Sequence, residues 1–384
     1  MAESPKNRIG TYRNRRSGVA AFHIETRPED LRLDLTDELI LSVDRATHAV
    51  GKLVGSAGLL PNPEQFVYMY LRLEAVLSSR IEGTQASLMD LLQFEQEWVD
   101  RERVDDITQV ANHLKLLRTL ERRGRRSPLT VEELEKAHQT LLSGTRGAPS
   151  LGKLRTVQNW IGAGGPIEEA SFVPPPPEEV RPAMNDLVTF VNDDRRYPPI
   201  VRAGLAHAYF ETIHPFVDGN GRIGRYLIHF ILWKAGLMER PILYLSHYFR
   251  ANQSEYYRRL QGTREAGGLE AFCLYLAKGT GEVASEAYER SQRVIKVRTD
   301  LERTIQTKLG RRTASGLVVL GAMYGHPIAD VRRVCEWTGS SRAAANSLVQ
   351  EMESAGVLVE LTGQARNRRF ALGKYLDLFT VMEE

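Results

Sequence analysis

The chain has 384 residues, 42% hydrophobic and 26% charged, which excludes general disorder, collagen-like repeats and a disulfide-stapled mini-fold. With 51 Lys and Arg against 48 Asp and Glu the net charge is only +3, so any nucleic-acid surface must be local. Its length predicts two or three packed units, at about 100–200 residues per domain. Two cysteines, Cys273 and Cys335, argue for a reducing compartment and against a disulfide framework or a Cys-rich metal site. The longest apolar stretches, such as 226–233, are too short for a bilayer, and MAESPKNRIG lacks the apolar core of a secretion signal. The expectation is a cytoplasmic protein with no membrane contact.

Residues 1–30 are rich in Arg, Gly and Ser, with Arg13, Arg15 and Arg16 close together, and read as an extended arm. Thr36, Asp37 and Glu38 open a helix over 37–55 with an apolar stripe of Leu39, Ile40, Val43, Ala46 and Val50; Gly55, Gly58 and Pro61 stop it. A second helix is predicted over 64–82, with Phe66, Tyr70, Leu73 and Leu77 on one face and Gly83 at its end. Helices follow at 87–98 and 106–123, and Thr130 and Glu133 have the spacing of a capping box. Residues 144–177 concentrate Gly, Pro and Ser, and apolar pieces at 157–161 and 172–173 predict a β-hairpin with an irregular tip at Gly162–Pro166. Further helices are predicted at 178–193, 198–212, 222–236 and 253–266, with a mostly helical connector over 269–308. Beyond 313, helical pieces at 315–324, 327–337 and 341–355 precede a strand pair, 357–361 and 368–372, which is a winged helix-turn-helix pattern.

The chemistry concentrates in HPFVDGNGRIGR, residues 214–225. Gly219, Asn220 and Gly221 enter a helix, where backbone N–H groups and the positive end of the dipole favour an anion and Asn220 adds a side-chain donor. Arg222 and Arg225, three apart on the first turns, can fork onto two further phosphate charges. Asp218 is a hard oxygen ligand suited to Mg²⁺ held with phosphates, and His214 is a base that is neutral near pH 7. Together they describe nucleotidyl or phosphoryl transfer. The other glycine-rich stretch, 162–165, has no Lys or Ser/Thr at P-loop spacing.

This segment resembles the Fic family signature, HPFx(D/E)GNGRxxR, at every defined position, with a looser likeness over 35–280. The resemblance implies a mainly α fold: a Fic-type helical bundle with a small β-hairpin flap, here followed by a C-terminal winged helix-turn-helix domain. It implies four parts: an N-terminal arm and helical region over 1–125, a catalytic domain over 126–280, a connector over 281–312 and the winged helix over 313–384. The implied activity moves AMP from ATP to a Tyr, Thr or Ser hydroxyl of a target protein, or of the protein itself, and releases pyrophosphate. His214 would be the general base, Asp218 the Mg²⁺ ligand, Gly219–Gly221 the anion hole, and Arg222 and Arg225 the phosphate ligands, with Arg225 on the γ-phosphate.

The sequence SSRIEG, from Ser78 to Gly83, resembles the family's inhibitory motif (S/T)xxxE(G/N). Ser78 and Glu82 share a helix face, and a carboxylate at a helix C-terminus is disfavoured by the dipole and seeks a cation. The resemblance supplies Arg225 as that cation, withdrawing it from the γ-phosphate; in some members the same Glu serves AMP removal. By resemblance too, the 157–173 hairpin is a flap that lines up the target, with Ile167 or Phe172 clamping the acceptor. Tyr256 and then Tyr257 are the adenine contacts, with Gln253 standing where many relatives have Arg.

Ser341 and Arg342 open the third winged-unit helix, and Arg366, Arg368 and Arg369 crowd the wing, as groove insertion with phosphate contacts would use them. Yet 311–384 carries nine Lys and Arg against eight Asp and Glu, so a DNA-binding face requires the charges to segregate. DNA, a protein partner and a homodimer contact all remain open for this unit. Two other readings of the whole also stay open: a nucleotide-sensing DNA-binding regulator, and a Fic enzyme that removes AMP or transfers another phosphate-containing group.

Overall fold

The computed structural model describes residues 8–14, 19–58, 63–98, 104–145, 151–162, 164–193, 195–265 and 267–380. Arg15, Arg16, Pro61 and Ala163, which fall within the expectations above, lie outside them. In place of an extended arm the chain opens with an antiparallel hairpin, β1 (Gly10–Asn14) and β2 (Ala20–Ile24), with Gly10 opposite Ile24. The pairing is secured by a distant partner, since the Phe22 N–H donates to the Val173 carbonyl at 2.9 Å.

Five helices follow: α1 (Asp37–Gly58), α2 (Pro63–Ile81), α3 (Leu88–Glu95), α4 (Val104–Arg122) and α5 (Val131–Leu142). Ser87 and Thr130 start α3 and α5 with complete capping boxes, closed by Asp90 and Glu133. The hairpin expected at 157–173 is reduced to a single bridge between Ile161 and Phe172, with a 3-10 turn at Ile167–Glu169. Pro166 and the prolines at 174–177 carry no N–H, so a longer ladder has too few donors.

The chain continues through α6 (Pro177–Asp193), α7 (Pro199–Ile213), α8 (Asn220–Lys234), α9 (Leu245–Ala251), α10 (Gln253–Gly262) and α11 (Gly268–Lys308). Every residue of α7 from Ile200 to Ile213 is buried, and α8 is buried almost throughout. Helices buried on all sides form the centre of a bundle, and the polar side chains they bury, Glu211, Arg222 and Arg225 among them, must find partners inside it. The loop joining these two rigid helices is the 214–219 segment. α11 packs along α1 and α7 and runs unbroken for 41 residues.

Beyond it lie α12 (Thr313–Met323), β3 (Ile328–Asp330), α13 (Val331–Thr338), α14 (Arg342–Ser354), β4 (Val359–Glu360), β5 (Arg369–Ala371) and α15 (Gly373–Thr380). The three strands form one antiparallel sheet in the order β3-β5-β4. This unit packs on α2: Arg72, fully buried, donates to the Gly325 carbonyl at 3.0 Å, and the Tyr70 and Phe379 rings meet edge to face at 5.5 Å. Among the described residues no helix is long and apolar enough to cross a membrane. Both cysteines are free thiols.

Candidate active site

α7 ends at His214, whose backbone adopts a left-handed conformation (φ 48°), and Gly219 (φ 77°) does the same just before α8. Two reversals within six residues turn the chain so that the start of α8 faces the end of α7. Asn220 holds the loop closed: its Nδ2 donates to the Phe216 carbonyl and its Oδ1 accepts from the Phe216 N–H, both at 2.8 Å. The Asn220 amide, expected to donate to a phosphate, thus commits one N–H and its oxygen to the loop itself. Asn220 is buried and both ends of its side chain are used in shaping the loop.

Three side chains that the sequence reading passed over adjoin the same loop, and two of them, Arg155 and His138, brace it. Arg155, buried, donates to the carbonyls of His214 (2.9 Å), Ile213 (3.1 Å) and Pro175 (2.6 Å), tying the end of α7 to the flap stem. His138 stacks on Phe216 at 4.0 Å, accepts the Gly152 N–H at Nδ1 and so donates from Nε2 to the Asp218 carbonyl at 3.0 Å. Its one sequence signal is its place on the apolar face of α5, where Leu134 and Leu141 are buried. Glu211 lies one turn before His214, its Oε2 3.9 Å from the His214 Nδ1. Burial pushes that carboxyl up to about 7.

The other candidate site residues lie around this frame. Burial, reinforced by the charges of Arg155 and Arg264, pushes the His214 imidazole down to about 4. It is therefore neutral at pH 7, with Nδ1 lacking a hydrogen-bond partner among the described residues. The Asp218 side chain is 69% exposed and accepts its neighbouring Gly219 N–H at 2.6 Å. Arg222 is buried, 3.7 Å from Asp218, and donates to Gln109 of α4 at 2.6 Å.

Arg225 is buried and is gripped by α2 and the residue that follows it. Its Nε donates to the Ser78 hydroxyl at 2.8 Å, and its Nη2 to the Ser78 carbonyl at 2.9 Å and the Glu82 carboxylate at 2.6 Å. Burial, the largest single influence, would lower the Arg225 pKa, but the Glu82 charge and hydrogen bond, together with Tyr256 and Glu211, outweigh it and leave the guanidinium above its ordinary value. Burial would likewise raise Glu82, and Arg225 holds it below the usual carboxylate range. Gly221 has no room for a Cβ, which would collide with the Glu82 carboxylate.

Three expected contacts sit differently. Phe172 is 2% exposed, with the Arg264 guanidinium 3.3 Å above its ring, so it is a packing residue and no clamp. Ile167 remains partly exposed on the flap turn. Tyr256 is 1% exposed, stacks on Phe249 at 4.6 Å and shares a 2.8 Å hydrogen bond with His207, which removes it from adenine contact. Tyr257 is 46% exposed beside the end of α2, so of the two it is the one open to a ligand.

Residues 128–232 match the Fic/DOC family, and residues 40–119 match the Fic/DOC family N-terminal region. Protein adenylyltransferase fic-1 of Caenorhabditis briggsae is 33% identical over 152 residues, 39% of this chain and 27% of that protein. A probable protein adenylyltransferase of Aquifex aeolicus is 39% identical over 69 residues, 18% of this chain and 22% of the other. The chain thus spans about a quarter of the length of these curated relatives. A Fic family protein from Desulfovibrio desulfuricans G20 has a similar fold, with a TM-score of 0.58 and 20% identity, over 90% of this chain and 98% of that one. The two family matches take in the 214–225 loop and α2 respectively, and the likeness of fold to the Desulfovibrio protein extends along nearly the whole chain, so these two regions are similar to the Fic/DOC family in sequence and the chain is similar to a Fic protein in fold.

Proposed function

We propose that the protein is an autoinhibited adenylyltransferase that moves AMP from ATP to a hydroxyl of a target protein. The observation that carries this reading is Arg225: a guanidinium in the first turns of α8, beside an anion loop and a neutral imidazole, engaged by Ser78 and Glu82 through Nε and Nη2. In the forward reaction the target hydroxyl oxygen bonds to the α-phosphorus, the bond to the β-phosphate bridging oxygen breaks, and pyrophosphate leaves. The His214 imidazole takes the hydroxyl proton. Its low pKa keeps the ring in the accepting form.

The N-terminal N–H groups of α8 and Arg222 are suited to the phosphates, while Tyr257 is the aromatic face open to the base. The Asp218 carboxylate fits a hard cation, because it is exposed and one oxygen is uncommitted. A single carboxylate of this kind would hold Mg²⁺ together with the nucleotide phosphates. Bound there, Mg²⁺ would neutralise charge on the phosphates. A target strand would pair with the backbone of the 161–172 flap, beside Ile167. We assign the catalytic role to 126–280 and the brake to the helical region before it.

The test uses purified protein, MgCl₂ and ATP labelled at either the α or the γ position. Glu82→Gly should raise protein-bound α label at least about tenfold, since one charge-assisted hydrogen bond is worth roughly 1.5–3 kcal/mol. His214→Ala in that background should abolish it while leaving ATP binding. Label appearing from γ-ATP, or none from α-ATP in the Glu82→Gly protein, overturns the reading.

A further inference from the structure

The near-neutral charge of the C-terminal unit conceals a division that the fold makes visible. A groove of about 860 Å³ runs between α14 and the turn joining β4 to β5, and Arg332, Arg342, Asn346, Gln350, Arg366 and Arg368 line it. The acidic side chains nearby are mostly engaged elsewhere. Glu351 pairs with Arg312 at 3.2 Å, on the far side of α14. Glu360 accepts the N–H groups of Thr362 (3.0 Å) and Gly363 (2.6 Å), folding the turn itself. Asp330 caps α13 by accepting the Arg333 N–H at 2.8 Å. Glu353 lies 3.9 Å from Arg368, and Glu336, on the rim, pairs with Arg332 at 3.1 Å. Among the described residues neither Arg342 nor Arg366 has an ion-pair partner, and both are exposed.

α14 is turned to use that groove. Ala345, Leu348, Val349 and Met352 are buried, which anchors one face and fixes the opposite one outward. Arg342, Asn346 and Gln350 recur every four residues, forming a stripe along that outward side. Arg, Asn and Gln are the side chains that make paired hydrogen bonds with base edges. Ala343 and Ala344 are exposed at the start of the helix, where a small side chain permits close approach. Arg368 donates to the Asn346 Oδ1 at 2.9 Å, which fixes the amide and leaves its NH₂ as the donor.

The lining favours a nucleic acid over a protein partner. Its apolar residues are Val331, Ala343 and Ala365, with no aromatic or large aliphatic anchor of the kind that dominates protein interfaces. The B-form major groove admits an α-helix, whereas the deep, narrow major groove of A-form RNA does not.

We propose that the face formed by α14 and the β4–β5 turn binds duplex DNA, with Arg342, Asn346 and Gln350 toward base edges in the major groove and Arg332, Arg366 and Arg368 on phosphates. This assignment is independent of the transfer reaction and stands whether or not that reaction occurs.

The experiment measures fluorescence anisotropy of the full-length chain with a labelled random-sequence duplex of about 30 base pairs, across a salt series, followed by selection from a random library. The wild type should bind at low salt, with affinity falling steeply as salt rises. Arg366→Ala with Arg368→Ala should weaken binding at least about tenfold and reduce the salt slope by roughly two, one per lost phosphate contact. Asn346→Ala with Gln350→Ala should keep the salt slope and flatten the selected sequence preference. Thermal melting checks that each variant is folded. Absence of duplex binding at low salt overturns the proposal. So does binding indifferent to the arginine substitutions, or a preference for single-stranded RNA over duplex DNA.

Discussion

Glu211 occupies an uncomfortable position for a carboxyl group. It is 7% exposed, and its Oε1 has no hydrogen-bond partner among the described residues. Burial raises its pKa from 4.5 to about 7, although the charges of Arg225 and Arg264 pull the other way. The folded state therefore binds this proton more tightly than the unfolded chain does. The group's stabilising contribution is complete below about pH 4.5 and is lost as the pH rises through 7, a swing on the order of 3 kcal/mol. Glu211→Gln should remove that swing, melting below the wild type's relative position at pH 5 and above it at pH 8. Equal pH profiles of Tm for the two proteins would show that the carboxyl is solvated. His214 titrates in the opposite sense. Its depressed pKa makes stability rise with pH between about 4 and 6.5, so comparison with the Gln variant is needed to isolate Glu211.

The loop between α7 and α8 carries the groups assigned to the proposed reaction, and Asn220 closes it between the ties made by Arg155 and His138. Asn220→Ala would leave the Phe216 N–H and carbonyl without their partner in a buried turn, at a cost of roughly 1–3 kcal/mol for each group left unsatisfied. Lower Tm and a transfer rate reduced even at saturating ATP are expected; an unchanged rate would mean that the loop keeps its shape without the amide. The presence of this loop was legible in the sequence because its residue types are local and specific. The role of Asn220 was not, because its partner is defined only once His214 and Gly219 have reversed the chain. The order of Tyr256 and Tyr257 failed for a similar reason: adjacent residues on a helix point about 100° apart, and the phase of α10 against Phe249 and His207 is a tertiary fact. The pairing of β2 with Val173 joins segments some 150 residues apart, and no local pattern announces it. Helices whose ends carry their own signals, such as α3 and α5 with their capping boxes, emerged within a few residues of their expected positions.

At the scale of the molecule, α2 links the candidate site to the C-terminal unit. Its last turn and the residue beyond hold Arg225, while its middle meets the C-terminal unit through Tyr70 and Arg72. Arg290 of α11 adds a second tie, donating to the Leu378 carbonyl at 2.6 Å, and Arg369 lies 4.7 Å over the Trp98 ring. An interface with buried aromatic rings on both sides favours joint unfolding over independent domains. Phe379 is its hub: it is fully buried, 5.5 Å from Tyr70 and 5.2 Å from Tyr375. The wild type should therefore unfold in one calorimetric transition. Phe379→Ala, which removes a buried ring and leaves a cavity, should cost about 3–5 kcal/mol of coupling and contact. Because the ring lies between the two units, the loss should fall on their connection and divide the single transition into two, with the smaller unit melting first. Two transitions in the wild type would refute the joint unfolding, and a single, uniformly shifted transition in the variant would show that other ties, Arg72 and Arg290 among them, are enough to hold the halves together.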